Sequence, residues 1–203
     1  MDRALAALRA GAVVAAATES FFGLLADATR ADAIDQLFSL KPRDMGRGVP
    51  ILLPGLAAWE ELVASVPPLA RRLADAFWPG ALTLALPAAT HVDARLTVEG
   101  AIAVRLAGPS PAAQLARVFG RPLTATSANL PGGPPATSAL EVAAAFAGLA
   151  TDRLLIMDGS SPGGAPSTVV VVGTRGYRIV REGRISARRV GEAAGLDPEQ
   201  GKG

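Results

Sequence analysis

Ile102-Ala-Val-Arg-Leu-Ala-Gly-Pro-Ser-Pro-Ala-Ala-Gln-Leu-Ala-Arg-Val-Phe-Gly-Arg-Pro-Leu-Thr-Ala-Thr126 carries three elements in a row. Ile102 to Leu106 is a short apolar run that reads as a strand. Pro111 to Phe119 reads as a helix, and Pro122 to Thr126 returns to a strand. Helices and strands that interleave this closely argue for an α/β chain with helices packed on a sheet.

The same alternation extends in both directions. Upstream, Leu82 to Leu86 reads as a strand with Leu82, Leu84 and Leu86 on one face. Leu56 to Ser65 and Leu69 to Phe77 predict two helices, the second closing before Trp78-Pro79-Gly80. Val49 to Leu53 is a strand ending at Pro54-Gly55, and Asp32 to Leu40 has helical spacing at Ala33, Ile34, Leu37, Phe38 and Leu40. Val13 to Ala17, between Gly11 and Thr18-Glu19, is a buried strand. Downstream, Asn129 to Pro135 is a Gly/Pro-rich loop. Ser138 to Phe146 is a helix capped by Thr137 or Ser138, with Glu141 three residues beyond Ser138. Arg153 to Met157, Thr168 to Val172 and Tyr177 to Arg181 are the last strands, and Ser186 caps a short final helix. The close spacing of those strands requires some antiparallel pairing. The expectation is one twisted, open, mixed α/β sheet flanked by helices, with residues 1–196 a single domain and residues 197–203 a polar tail.

Composition narrows the chemistry. Half of the 203 residues are apolar, so a real core is available. There is no cysteine, which excludes disulfides and thiolate metal sites. His91 is the only histidine and reads as a solvated surface residue, so Ser-His, Cys-His and most zinc chemistry drop out. The net charge is only +2. Among 20 basic residues the lysines are Lys41 and Lys202, which makes Lys41 the only one before the tail. The Ala-rich run Gly11 to Ala17 lacks a basic leader and ends at Thr18-Glu19-Ser20, so it is a strand and not a signal peptide. No stretch approaches the roughly 18 apolar residues of a membrane span. The expectation is a soluble, cytoplasmic protein.

Three loops gather polar groups. Lys41-Pro-Arg-Asp-Met-Gly-Arg47 puts three cations between a helix and a strand, an arrangement suited to a polyphosphate. Thr124-Ala-Thr-Ser-Ala-Asn-Leu-Pro-Gly-Gly133 ends a strand in hydroxyls and an amide, where ligands of open α/β sheets sit. Ser127 has no histidine to activate it, so hydrogen bonding to a ligand is its better role. Ser160-Ser-Pro-Gly-Gly-Ala-Pro-Ser-Thr168 exposes amides and hydroxyls that can form an anion nest. Taken singly, each loop also reads as an ordinary solvated turn.

Taken in order, these segments resemble the YrdC/TsaC family. Ala17-Thr-Glu-Ser-Phe-Phe-Gly-Leu24 is similar to its opening Pro-Thr-Glu/Asp motif, and Lys41, Arg43 and Arg47 to its Lys-x-Arg pattern with a third basic or polar residue. Phe77-Trp-Pro-Gly-Ala-Leu-Thr83 resembles its Trp-Pro-Gly segment and Ile102-Ala-Val-Arg105 its Val-Ala-Val-Arg strand. Ser127-Ala-Asn129 matches its Ser-x-Asn signature, Ser167-Thr-Val-Val170 its late strand and Val180-Arg-Glu-Gly183 its Arg-x-Gly ending. The likeness runs collinearly from about Gly11 to about Gly183, in the short single-domain form.

The resemblance implies a YrdC-like fold with a concave basic cavity, and a threonylcarbamoyl-AMP synthase acting on L-threonine, bicarbonate and ATP in tRNA t6A modification. It implies that Ser20, Arg105 and Ser167 contact threonine, and that Arg43, Arg47, Ser127, Asn129 and Arg181 hold ATP. Lys41 and Arg43 would be the catalytic cations. Mg²⁺ would accompany ATP, with no protein metal site, and the product would pass to a transferase of the t6A machinery. Two other readings stand beside it: a non-catalytic module that binds tRNA or double-stranded RNA, and a carbamoyl-adenylate enzyme acting on another substrate. The chain departs from the family pattern at Ala17 (usually proline), at Arg47, at Met45-Gly46 and at Leu52, where many members carry a polar residue or histidine.

Overall fold

Val13–Ala17 (β1) is buried at every residue, as a strand covered on both faces must be. The chain turns through residues 18–21 into Phe22–Leu25 (β2), antiparallel to β1 with Ala17 opposite Phe22. Leu154–Ile156 (β9) runs parallel to β1 on its other edge. Thr126–Ser127 (β8) pairs with β2, giving the order β8-β2-β1-β9. These relations come from a computed structural model that describes residues 1–41, 48–149, 153–173 and 176–196. The 197–203 tail lies outside the described residues.

A second sheet contains Tyr177–Arg181 (β11), Thr168–Val172 (β10), Leu82–Pro87 (β4), Ala101–Arg105 (β6), Ile51–Leu52 (β3) and Leu123–Thr124 (β7), in that spatial order, with Thr97–Val98 (β5) also on β6. It is mixed: β10 is parallel to β4, whereas β11 on β10 and β4 on β6 are antiparallel. The single sheet expected from sequence is therefore two hydrogen-bonded sheets joined by one extended segment. Thr124 pairs with Ile51 in the larger sheet, Thr126 pairs with Leu24 in the smaller, and the Ala125 amide between them donates to Pro50 O at 2.7 Å. The buried Thr124 hydroxyl accepts from the Ala26 amide at 2.8 Å, so a side chain takes the place of a ladder bond at the crossing.

Most helices fall where the periodicity puts them: Ala31–Leu40 (α2), Pro68–Phe77 (α4), Pro111–Phe119 (α5), Ala139–Ala145 (α6) and Ala187–Ala194 (α7). Ser110 caps α5 and Gly120, at φ 76°, ends it in the left-handed region where a side chain is strained. Ser138 is the cap of α6, accepting from the Glu141 amide, while the Glu141 carboxylate accepts from the Thr137 amide at 2.6 Å. Asp2–Arg9 (α1) is an element the sequence reading missed; it buries Ala4, Leu5 and Leu8 but is only eight residues long. The predicted helix over 56–65 is shorter: a 3-10 turn at Leu56–Ala58 leads into Trp59–Leu62 (α3). Val63 is extended and bridges Ala88, and that pairing stops the helix.

The larger sheet has one apolar face. Leu82, Leu84, Leu86, Ile102, Val104 and Val170 are fully buried there. Each buried side chain of this size contributes about 1.5–3 kcal/mol. Helix α4 packs on β4, α7 packs on α4, and the Arg189 guanidinium lies 5.4 Å from the Phe77 ring. Among the described residues no helix is long and apolar enough to cross a membrane.

Candidate active site

Strand alternation sends the other set of side chains to the opposite face. Thr83 and Ala85 of β4, Ala101, Ala103 and Arg105 of β6, and Val169 and Val171 of β10 all line a cavity of about 1240 Å³. Ala103 lies opposite Ala85, which lies opposite Val171. On β4 and β6 the floor positions Thr83, Ala85, Ala101 and Ala103 carry small side chains, where the core face of the same strands carries Leu82, Leu84, Leu86 and Ile102, and this leaves the volume open.

One wall is built at the end of α2. Lys41, with 6% of its surface exposed, follows that helix directly and reaches across 86 residues to the end of β8. Its Nζ donates to Ser127 O at 2.6 Å, to Asn129 Oδ1 at 2.9 Å and to Ser127 Oγ at 3.2 Å. The Ser127 hydroxyl also donates to Asn129 Oδ1 at 2.6 Å, and Asn129 Nδ2 donates to Gly133 O at 2.5 Å. Asn129 is thereby held with its oxygen toward the ammonium, and the turn through Gly133 is fixed around it.

The other wall joins three distant loops. Thr18 Oγ1 donates to Phe21 O at 2.7 Å and accepts from the Ser20 amide at 3.2 Å, a hydroxyl-stapled turn that sets Ser20 on the cavity wall. Ser167 Oγ shares a hydrogen bond with Thr83 Oγ1 at 2.9 Å. Arg181 donates to Ser167 O at 2.9 Å and to its Oγ at 3.2 Å. Arg105 donates through Nε to Gly80 O at 2.8 Å and through Nη2 to Glu19 Oε1 at 2.5 Å.

Burial lowers the pKa of Arg105, partly offset by Glu19, and burial followed by repulsion from Arg105 lowers that of Arg181. Both guanidiniums remain charged at neutral pH. A buried Arg105 and an exposed Arg181 that repel each other on one cavity wall form a site an anion stabilises. Lys41, Arg105, Arg178 and Arg181 line the described wall against one carboxylate, Glu99.

Seven residues singled out from sequence thus open on one cavity: Ser20, Lys41, Arg105, Ser127, Asn129, Ser167 and Arg181. Arg181, grouped with ATP by resemblance, is hydrogen bonded to Ser167, which was grouped with threonine. Arg43 and Arg47 lie outside the described residues. Leu52, buried and paired in register with Arg105, is part of the wall, and His91 is exposed. The anion nest expected of the Ser160–Thr168 loop is not available at two of its amides, since Ser161 N and Gly163 N donate to Thr137 O and Ser20 O.

Sequence reasoning missed Thr83, Glu19 and Arg178. Thr83 closes a segment that resembles the family, but the sequence gives it no site role, and its signal is its place on the strand face opposite Leu82, Leu84 and Leu86. Arg178 and Arg181 are three apart, which puts them on opposite faces of a regular strand. The register shifts between Val169–Arg181 and Val170–Ile179, leaving Val180 as an extra residue, and both arginines line the cavity.

Such a site can bind a polyanion beside a small polar molecule, align the two and stabilise charge, without an imidazole or thiol. The Sua5/YciO/YrdC family model, described as telomere recombination, matches residues 6–183. A threonylcarbamoyl-AMP synthase of Stenotrophomonas maltophilia is 40% identical over 140 residues, 67% of this chain and 75% of that protein. A putative threonylcarbamoyl-AMP synthase of Mycobacterium tuberculosis is 34% identical over 196 residues, 96% of this chain and 88% of that one. The crystal structure of P. abyssi Sua5 complexed with L-threonine superposes with a TM-score of 0.85 at 31% identity, over 97% of this chain. This chain spans 58% of that longer one.

Proposed function

Because the chain belongs to the Sua5/YciO/YrdC family, we propose that it is a threonylcarbamoyl-AMP synthase, converting L-threonine, bicarbonate and ATP into threonylcarbamoyl-adenylate and pyrophosphate. The observation that carries this reading is the convergence of two groups on one cavity: Lys41 with Ser127 and Asn129, and Ser20 with Arg105, Ser167 and Arg181. In this reading Ser20, Arg105 and Ser167 hold threonine. Arg43, Arg47, Ser127, Asn129 and Arg181 hold ATP, and Lys41 and Arg43 stabilise charge at the reacting phosphates.

The threonine amine and bicarbonate first form a carbamate with loss of water. A carbamate oxygen then attacks the α-phosphorus, a new P–O bond forms, and the bond to the pyrophosphate oxygen breaks. The attacking group is already anionic, so this step needs alignment and cations more than a base. Mg²⁺ would be part of the ATP substrate, held by the nucleotide, and would supply neutralisation of the phosphate charge. Cations and hydroxyls, rather than carboxylates, dominate the described wall, which suits an ion held by its nucleotide. In this reading the adenylate is handed to a transferase that makes t6A in tRNA, and the reaction is a cytoplasmic one.

The test is pyrophosphate release from ATP and bicarbonate with threonine, serine, other amino acids or none. Release that depends on threonine and is lost in folded Arg43→Ala and Ser127→Ala variants is the expected result. Release driven by a different amino acid moves the chain to another substrate. Absence of release, together with salt-steep RNA binding indifferent to ATP, overturns the synthase reading in favour of an RNA-binding module.

A further inference from the structure

Thr18 and Ser20 belong to the cavity wall, whereas the Glu19 carboxylate lies behind it. Glu19 Oε1 accepts from Arg105 Nη2 at 2.5 Å and from the Gly108 amide at 2.6 Å. The pair is almost out of solvent, with 11% of the Arg105 and 14% of the Glu19 side chain exposed. With Nε on Gly80 O, two of the three guanidinium nitrogens of Arg105 are engaged. Its Nη1 makes no hydrogen bond among the described residues, and Arg105 faces the cavity.

The main chain of Glu19 is tied as well. Arg184 Nη2 donates to Glu19 O at 3.0 Å, and the Arg184 amide donates to Pro166 O at 2.9 Å, beside Ser167. Glu19 therefore links Ser20 by the chain, Arg105 by the ion pair and the Ser167 loop by Arg184. Its second oxygen, Oε2, is buried with no hydrogen-bond partner. A carboxylate and a guanidinium withdrawn this far from solvent are a weak choice for stability alone, because desolvation offsets much of their attraction. Holding one cation in one orientation is what the arrangement achieves.

We propose that Glu19 is the positioning residue of the amino-acid subsite. It locks the Arg105 guanidinium so that the unengaged Nη1 meets the carboxylate of the amino-acid substrate, and it keeps the Ser20 hydroxyl alongside. This rests on the synthase reading above and assigns to it a residue that touches no substrate.

The experiment measures threonine and ATP KM by pyrophosphate release, with calorimetric titration of L-threonine into the ATP-free protein, for wild type, Glu19→Ala, Glu19→Gln and Gly108→Ala. Glu19→Ala raises the threonine KM about tenfold to a hundredfold and leaves the ATP KM within about twofold. Glu19→Gln, which keeps an acceptor oxygen and loses the charge, falls between. Gly108→Ala, whose new Cβ lies 3.1 Å from Glu19 Oε1, shifts the carboxylate with no change of charge and gives a smaller rise of the same kind. If Glu19→Ala does not fold, the other two variants decide. A threonine KM unchanged in both, or an ATP KM rising in parallel, overturns the positioning role while wild-type activity upholds the synthase. A wild type with neither threonine-dependent release nor threonine heat overturns the synthase reading and this one with it.

Discussion

Lys41 and Asn129, 88 residues apart, meet at 2.9 Å through Nζ and Oδ1, and Ser127 lies between them on the same ammonium. The contact joins the end of α2 to the turn after β8, so one cation ties together two loops that are distant in sequence. The C-terminal end of a helix favours a positive charge there. An ammonium with three freely directed donors matches a carbonyl, a hydroxyl and an amide oxygen that do not share a plane.

Replacing Lys41 by Ala is expected to lower pyrophosphate release by about a hundredfold or more, because charge stabilisation at the phosphates and the orientation of Asn129 are lost together. Lys41→Arg does not rescue, since a planar fork cannot address the three acceptors. Steady-state kinetics beside circular dichroism checks both variants.

The floor of the cavity predicts a separation of stability from activity. Ala103→Leu fills space that is open in the free protein, so its melting behaviour stays within a few degrees of wild type, about 0.5 kcal/mol either way. Its kcat/KM falls at least about tenfold, because the added side chain occupies substrate volume. An unfolded variant, or one with full activity, contradicts the placement of substrate on this face.

Gly183 is required for a different reason. A Cβ there would stand 2.2 Å from Pro166 O and 2.8 Å from both the carbonyl carbon and oxygen of Ser167. The obstacle is backbone, so Gly183→Ala must displace the segment carrying Ser167. The expected result is a loss of about 1–3 kcal/mol in denaturant unfolding, with a raised threonine KM in whatever folds.

Among the carboxyls held below their ordinary pKa, Asp93 is the partly buried one and a local source of acid sensitivity. The Arg95 guanidinium holds the Asp93 carboxyl below the usual carboxylate range, through hydrogen bonds at 2.9 and 2.6 Å, and also pairs with Asp35. A depressed folded-state pKa contributes stability above the unfolded value near 3.9 and loses it as pH falls through the folded value. Asp93→Asn therefore flattens the fall in melting temperature below about pH 4 and lowers the plateau above it. Thermal melts between neutral and acid pH check this, and an unaltered acid limb contradicts it.

Much of the fold was legible because its signals are local. Leu82, Leu84 and Leu86 alternate with Thr83 and Ala85, and that alternation alone separates a core face from a cavity face. Pro111–Phe119 and the Ser138 cap follow from helical spacing and capping chemistry. Helix α1 escaped because eight residues with charged Asp2, Arg3 and Arg9 carry too short a pattern. Helix 56–65 was overestimated because the bridge from Val63 to Ala88 is a contact at a distance that no spacing rule contains.

The candidate site divides in the same way. Ser20, Lys41, Arg105, Ser127, Asn129, Ser167 and Arg181 could be singled out from the chain alone, because their order along it is the collinear pattern of a family. Folding was needed to show that Glu19 pairs with Arg105 across 86 residues, that an extra residue at Val180 turns Arg178 and Arg181 to one face, and that Ala85 and Ala103 meet to leave a floor of small side chains. Helical and strand periods are properties of consecutive residues. Register, bulges and ion pairs depend on which distant segment supplies the partner, and that partner exists only once the sheets have closed around the cavity.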